Sequence, residues 1–368
     1  MTLSVTQRPK ASGVLGQAQQ REVEVEPFAG LVGLQLAIQA TRPTSEPVAE
    51  QAPGGESIRK QTMVRGLILI SAVLVLGSCK KDASSGTAAD ANADVVLLLD
   101  AGAEPQSLLR YKIAEGTTTK SNMDFTMATL AQTSEAASLS VVPGVRLHIV
   151  SGPAMATDRG VKFEVKIAKA EATIPEGLDP EVAKELQQSA AILDDVGGTV
   201  EMNDRGVALA TELNDRAKSP DIPLRLLMMI VNARTTLSRV VFPAGPVGLG
   251  ARWEARKELQ LYGFKVQQVD TYTLVERVGD EIKLNVAVTQ NALPQTVDFP
   301  DEGIAISVEQ MSANASGQII LNLNALESDA AASGAATDKL SVTSPEGTEK
   351  ISVDEAFGIR MTNTTAFE

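Results

Sequence analysis

Apolar residues at Val161, Phe163, Val165 and Ile167 alternate with Lys162, Glu164 and Lys166, and this pattern constrains the chain more than any other feature. Strand side chains point to opposite faces with a period of two, so the segment offers one face to a core and one to water. The same period recurs at Leu109–Ile113, Met123–Met127, Val145–Val150, Val200–Met202, Val207–Leu213, Arg252–Leu261, Phe264–Arg277, Glu281–Thr289, Ile304–Met311 and Gly317–Leu323. The last strands are expected near Lys339–Thr343 and Glu349–Thr362, while the Ala-, Ser- and Gly-rich stretch Asp329–Thr337 predicts a loop. Two hairpins are legible. Asn203-Asp204-Arg205-Gly206 supplies a turn whose glycine suits a left-handed position, and Gly279-Asp280 is a two-residue connection.

Two helices interrupt the strands. Asp179 is an N-cap ahead of Pro180, and Val182, Leu186, Ala190 and Leu193 form one apolar stripe. The second helix, Ile222 to Arg239, is apolar nearly all round at Leu226, Leu227, Met228, Met229, Ile230 and Val231. A helix without a polar side must be covered, leaving Arg225, Asn232 and Arg234 near its edges. The expected fold class is therefore α+β, a mainly antiparallel sheet curved, half-barrel-like, around two helices.

Composition narrows the function. Acidic residues outnumber basic ones by 46 to 33, for a net charge of −13, which disfavours a protein that coats nucleic acid. One histidine excludes an HExxH protease, and one cysteine excludes an internal disulfide or a CxxC metal pair. No phosphate-binding or calcium loop occurs, and no cofactor or metal is expected.

The lone cysteine has its own context. Arg59, Lys60 and Arg65 precede the uncharged apolar run Gly66–Leu76, which has the length of a secretory h-region and about half that of a bilayer span. The run closes on Leu76-Gly77-Ser78-Cys79, which resembles the bacterial lipobox. The resemblance implies that Cys79 is acylated and holds the protein to membrane lipid in the bacterial cell envelope, at the outer membrane, without spanning it. The chain then divides into residues 1–62, an over-extended or disordered N-terminus with Met63 as the real start; 63–78, a lipoprotein signal peptide; 79–107, the lipidated cysteine and a flexible tether; and 108–364, a β-rich α+β domain.

A second resemblance lies in the body. Gly198–Gly206 contains the Asp204-Arg205-Gly206 turn, and Pro246-Val247-Gly248-Leu249-Gly250-Ala251-Arg252-Trp253 has the form P-V-G-x-G-x-x-W. Together with Thr271–Leu274 and Ser316–Ile319, these segments resemble an uncharacterised family of bacterial lipoproteins. The resemblance implies location and fold and transfers no activity. An anchored sheet wrapped on helices is also similar to envelope proteins that carry lipids or lipoproteins.

Sites for chemistry are few. His148 sits opposite Leu147 and Ile149 and reads as a solvated strand residue. Carboxylates are plentiful, and Asp194-Asp195 and Asp298–Glu302 are the densest candidates for a hydrolase; each falls in a helix end or turn. Trp253 reads first as a packing anchor. Met123, Phe125 and Met127 on a strand, with Leu226, Met228 and Met229 on the second helix, are either core or an adaptable lining for an apolar ligand. The expected protein is thus non-enzymatic. It binds a lipid or other apolar ligand, or else serves as a structural or assembly partner recognising another envelope protein.

Overall fold

A computed structural model describes residues 95–364, apart from 135–136, 223, 262–263, 300–302 and 346. Among these, the strands are β1 (Val95–Asp100), β2 (Thr119–Gln132), β3 (Ala137–Ser151), β4 (Met155–Ala156), β5 (Val161–Ala172), β6 (Gly197–Met202), β7 (Ala208–Leu213), β8 (Arg252–Leu261), β9 (Phe264–Val278), β10 (Glu281–Ala292), β11 (Gln295–Phe299), β12 (Ile304–Asn322), β13 (Asp329–Ser344) and β14 (Gly347–Asn363). Helix α1 spans Pro180–Ala191 and α2 spans Leu224–Leu237.

All fourteen strands belong to one antiparallel sheet, in the order β1-β8-β9-β10-β12-β13-β14-β2-β3-β5-β6-β7, with β11 paired to β12 and β4 to β5. The period-two expectation holds on β9, where Phe264, Val266, Gln268, Asp270, Tyr272 and Leu274 are buried and the residues between them are not. The other face carries ion pairs. Arg146 pairs with Asp124, Lys166 with Asp195 and Arg256 with Glu254 on it.

The expected α+β fold, a sheet curved around two helices, is corrected here. Strand makes up 61% of the structure and helix 8%. Helix α1 begins as its sequence demands, with Asp179 Oδ1 accepting from Glu181 N at 2.9 Å, but it buries only Ala190 and leaves Val182 exposed. It rides on β5 at the surface, and only α2 sends side chains, Ile230 and Leu237, into the core.

Three further expectations change. The predicted loop Asp329–Thr337 is the first half of β13, paired on both sides, because neighbouring strands of 19 and 17 residues hold small side chains in register. Strand β1 lies inside the stretch 79–107 and pairs with β8. Leu109–Ile113 buries Leu109 and Tyr111 without joining the sheet, held instead by Tyr111 N to Asp204 O at 2.7 Å and Lys112 N to Leu323 O at 2.8 Å.

The two glycine motifs are structural. At Gly206, φ is +85° and a Cβ would lie 2.4 Å from Val240 O, so only glycine fits where the β6–β7 hairpin meets the chain after α2. Arg205 Nε donates to Phe242 O at 2.9 Å, and Arg110 reaches the carbonyls of Pro243 and Ala244. The Pro246–Trp253 motif delivers Trp253, fully buried, with Nε1 donating to Val241 O at 2.9 Å. Tyr111, Phe242, Trp253 and Tyr272 follow one another in ring contact, with centroids 5.2, 6.4 and 5.6 Å apart.

Candidate functional site

Paired residues share a face, so the register resolves the inner surface into rows running across the strands. One row is Trp253, Tyr272, Val286, Gly317, Ala332, Ile359 and Phe125. The next is Ala255, Asp270, Val288, Ala315, Gly334, Phe357 and Met127, and the one after it Lys257, Gln268, Gln290, Ala313, Ala336, Glu355 and Thr129. Beyond these, Phe264, Ile306, Val308, Val342 and Ile351 form a second apolar cluster, separate from the main core.

On β12 and β13 all three rows carry only small side chains: Gly317 and Ala332 in the first, then Ala313, Ala315, Gly334 and Ala336, these four each half-buried. Phe357 and Met127 rise on one side of the four and Val288 and Gln290 on the other. The smallest side chains thus lie between larger ones, so side-chain size alone predicts a depression in the inner face between the two apolar clusters.

Its β9 side is a connected polar ribbon. Asp270 pairs with Lys257 at 3.3 Å and accepts from Gln268 Nε2 at 2.6 Å; Gln290 Nε2 donates to Gln268 Oε1 at 2.7 Å. Gln268 Nε2 and Lys257 Nζ also reach Thr236 Oγ1, at 2.9 and 3.2 Å, tying the last turn of α2 to the sheet. A second tie holds the same helix. Arg234 Nη2 donates to Glu327 Oε1 and, at 3.1 Å, to Ser151 Oγ, while Ser151 Oγ also hydrogen-bonds Glu327. Arg234, expected at an edge where it reaches solvent or partners, is buried and reaches a partner, because Glu327 meets it from the β12–β13 connection. Burial pushes the Tyr111 hydroxyl well above its ordinary pKa, and the nearby Glu327 carboxylate adds to the shift.

Of the candidate ligand-lining residues, Met123, Phe125 and Met127 lie together on the inner face of β2, all buried, with Met127 at the wall of the depression. Leu226, Met228 and Met229 belong to α2, but their side chains lie outside the described residues, as does Cys79. The carboxylate candidates are not brought together as a pair for hydrolysis. Asp194 Oδ1 accepts from Ala170 N at 2.7 Å, Asp195 sits at φ 66° beside Lys166, and Asp298 is on β11, with 300–302 outside the described residues. His148 contacts Glu171 at 3.0 Å on the outer face, and Lys169 and His148 hold that carboxyl down to about 2. Among the described residues no cluster of three or more His, Cys, Asp or Glu residues is arranged to hold a metal ion, and no helix is long and apolar enough to cross a membrane.

The polar residues that tie α2 down, Lys257, Gln268, Asp270 and Glu327, escaped the sequence reading. Gln268 and Asp270 carried a signal, since they occupy the core-facing phase of β9 where apolar residues are the rule. Glu327 carried none.

No family model matches the chain, and no curated protein does. Among solved structures it is similar in part to OccAB4 of Acinetobacter baumannii, at 9% identity over 68% of this chain and 99% of that one, with a TM-score of 0.21. It is likewise similar to OccK2 (OpdF) of Pseudomonas aeruginosa, at 6% identity over 69% and 100% of the two chains, with a TM-score of 0.17. TM-scores this low do not establish a shared fold.

Proposed function

We propose that this protein is a non-enzymatic lipoprotein of the bacterial cell envelope, held at the outer membrane by acylated Cys79, that binds a lipid or other apolar ligand on the inner face of its sheet. The observation that carries the reading is the set of small, half-buried side chains Ala313, Ala315, Gly334 and Ala336 in register between Phe357, Met127 and Val288. Small side chains over apolar neighbours leave room for an alkyl chain, and the polar row at Gln268, Gln290 and Glu355 gives a polar end a place to stop. An anchored body also agrees with the outward face. A membrane barrel presents an apolar band to lipid, whereas here Arg146, Lys166 and Arg256 face outward in ion pairs. The test is mass spectrometry of the protein purified from its native membrane. Acylated Cys79 with a co-purifying lipid is expected; an unmodified cysteine overturns the anchor, and a ligand-free protein that takes up no apolar probe overturns the binding.

A second reading rests on β1. Among the described residues this strand ends the sheet, and it exposes Val95, Leu97 and Leu99, an apolar edge strand of the kind that accepts an added strand from a partner. A role in assembly with another envelope protein predicts that Leu97→Lys abolishes co-purification of that partner while leaving probe uptake intact.

A further inference from the structure

At the joint between α2 and the sheet lie four of the buried polar atoms that have no hydrogen-bond partner among the described residues: Glu327 Oε2, Arg234 Nε, Ser121 Oγ and Asn363 Oδ1. Connectivity brings them together. Glu327 Oε1 takes Arg234 and Ser151, and its backbone carbonyl accepts from Asn363 Nδ2 at 3.1 Å. Asn363 is paired with Ser121 across β14 and β2, and Ser151 with Thr119, two residues before Ser121 on the same buried face. Glu327 is fully buried and Ser121 nearly so. A carboxylate oxygen left bare in such a place is costly, because burial strips its hydration and nothing replaces it, so it requires a donor.

We propose that ordered water fills this site and hydrogen-bonds Glu327 Oε2 together with Arg234 Nε, Ser121 Oγ or Asn363 Oδ1. The chemistry selects water over an ion. The four atoms comprise one donor, two acceptors and a hydroxyl that does either, and buried waters make about three hydrogen bonds each to such mixed sets. An anion would satisfy Arg234 and face the Glu327 carboxylate; a cation would satisfy the oxygens and face the Arg234 guanidinium. Water serves both sides and makes the Arg234–Glu327 pair a hydrated one inside the core.

The test is a crystal structure of the full-length protein at a resolution that orders internal solvent. Density for water within hydrogen-bond distance of Glu327 Oε2 and at least one of the other three atoms is expected. A dry site, or an ion in it, overturns the proposal. Two variants give an independent readout. Ser121→Val fills the water's place whereas Ser121→Ala leaves it, so the valine variant melts about 2–4 °C lower than the alanine variant; equal melting temperatures overturn the proposal.

Discussion

Arg234 of α2 and Glu327 of the β12–β13 connection form an ion pair with side chains 9% and 0% exposed, and Ser151 of β3 bonds to both. Three parts of the chain distant in sequence thus meet at one carboxylate. A buried pair of this kind contributes little compared with a well-packed apolar replacement, but breaking it from one side is costly. Arg234→Met is expected to destabilise by about 3–5 kcal/mol, since Glu327 then stays buried without its counter-charge. Adding Glu327→Leu recovers most of that loss. Urea denaturation of the two variants measures the difference.

Trp253 is the sole tryptophan and is fully buried, so its emission reports directly on the core. The native protein should emit in the blue and shift to the red on unfolding in a single transition. Trp253→Phe keeps the ring stack with Tyr272 but leaves Val241 O without its donor. The expected cost is roughly 1–3 kcal/mol, the penalty of one unsatisfied buried acceptor, read by calorimetry because the fluorophore is gone.

Much of this architecture was legible from local pattern. The Asp179-Pro180 cap, the Gly279-Asp280 connection and the alternation on β5 and β9 each state their structure within a few residues. What was illegible depends on partners far along the chain. Ala330–Ala336 has the composition of a loop and becomes a strand only because β12 and β14 pair with it on both sides. The depression is a property of register, since Ala315 and Gly334 mean nothing until Phe357 and Val288 are placed beside them. Arg234 looked like a residue for the edge of an apolar helix until Glu327 arrived from 93 residues away.

The outer-face cluster around His148 gives a pH dependence of defined sign. Lys169 and then His148 hold the Glu171 carboxyl at about 2, below its ordinary 4.5. A carboxylate with a depressed folded-state pKa contributes stability that is complete above its unfolded value and is lost as pH falls through the folded one. Wild type should therefore exceed Glu171→Gln in melting temperature near neutrality. The gap should close between pH of about 4.5 and 2. A gap that is constant over that window would place the effect elsewhere.

The glycine motif before Trp253 makes a sharper demand. At Gly248 a Cβ would lie 1.7 Å from Ala103 O, and Gly248 N donates to Ala101 O at 2.8 Å, so the loop and the exit of β1 are in backbone contact. Gly248→Ala must force them apart, at roughly 1–3 kcal/mol or more. Gly245, three residues earlier in the same loop, has nothing within 4 Å of its added carbon. Gly245→Ala should stay within about 0.5 kcal/mol of wild type, and thermal melts of the two check the contrast.

The depression itself can be filled from its floor. Ala315 points to the inner face between Val288 of β10 and Gly334 of β13, and it is half-buried, so part of its surface is open to solvent. Gly334 cannot serve for this purpose, because a Cβ there would lie 2.4 Å from Asn314 O. Ala315→Phe places an aromatic ring where an alkyl chain would lie. If the depression is a binding site, uptake of an apolar fluorescent probe falls at least tenfold while the melting temperature is held, since the new ring covers Val288 and Phe357 rather than displacing them. If the same rows are closed core, the ring has nowhere to go, and overpacking costs roughly 1–3 kcal/mol with no probe uptake in the parent protein. Ala287→Phe is the control, because Ala287 is exposed on the opposite face of β10. It should change neither quantity, so a loss of probe binding shared by both variants would assign the uptake to the outer surface instead.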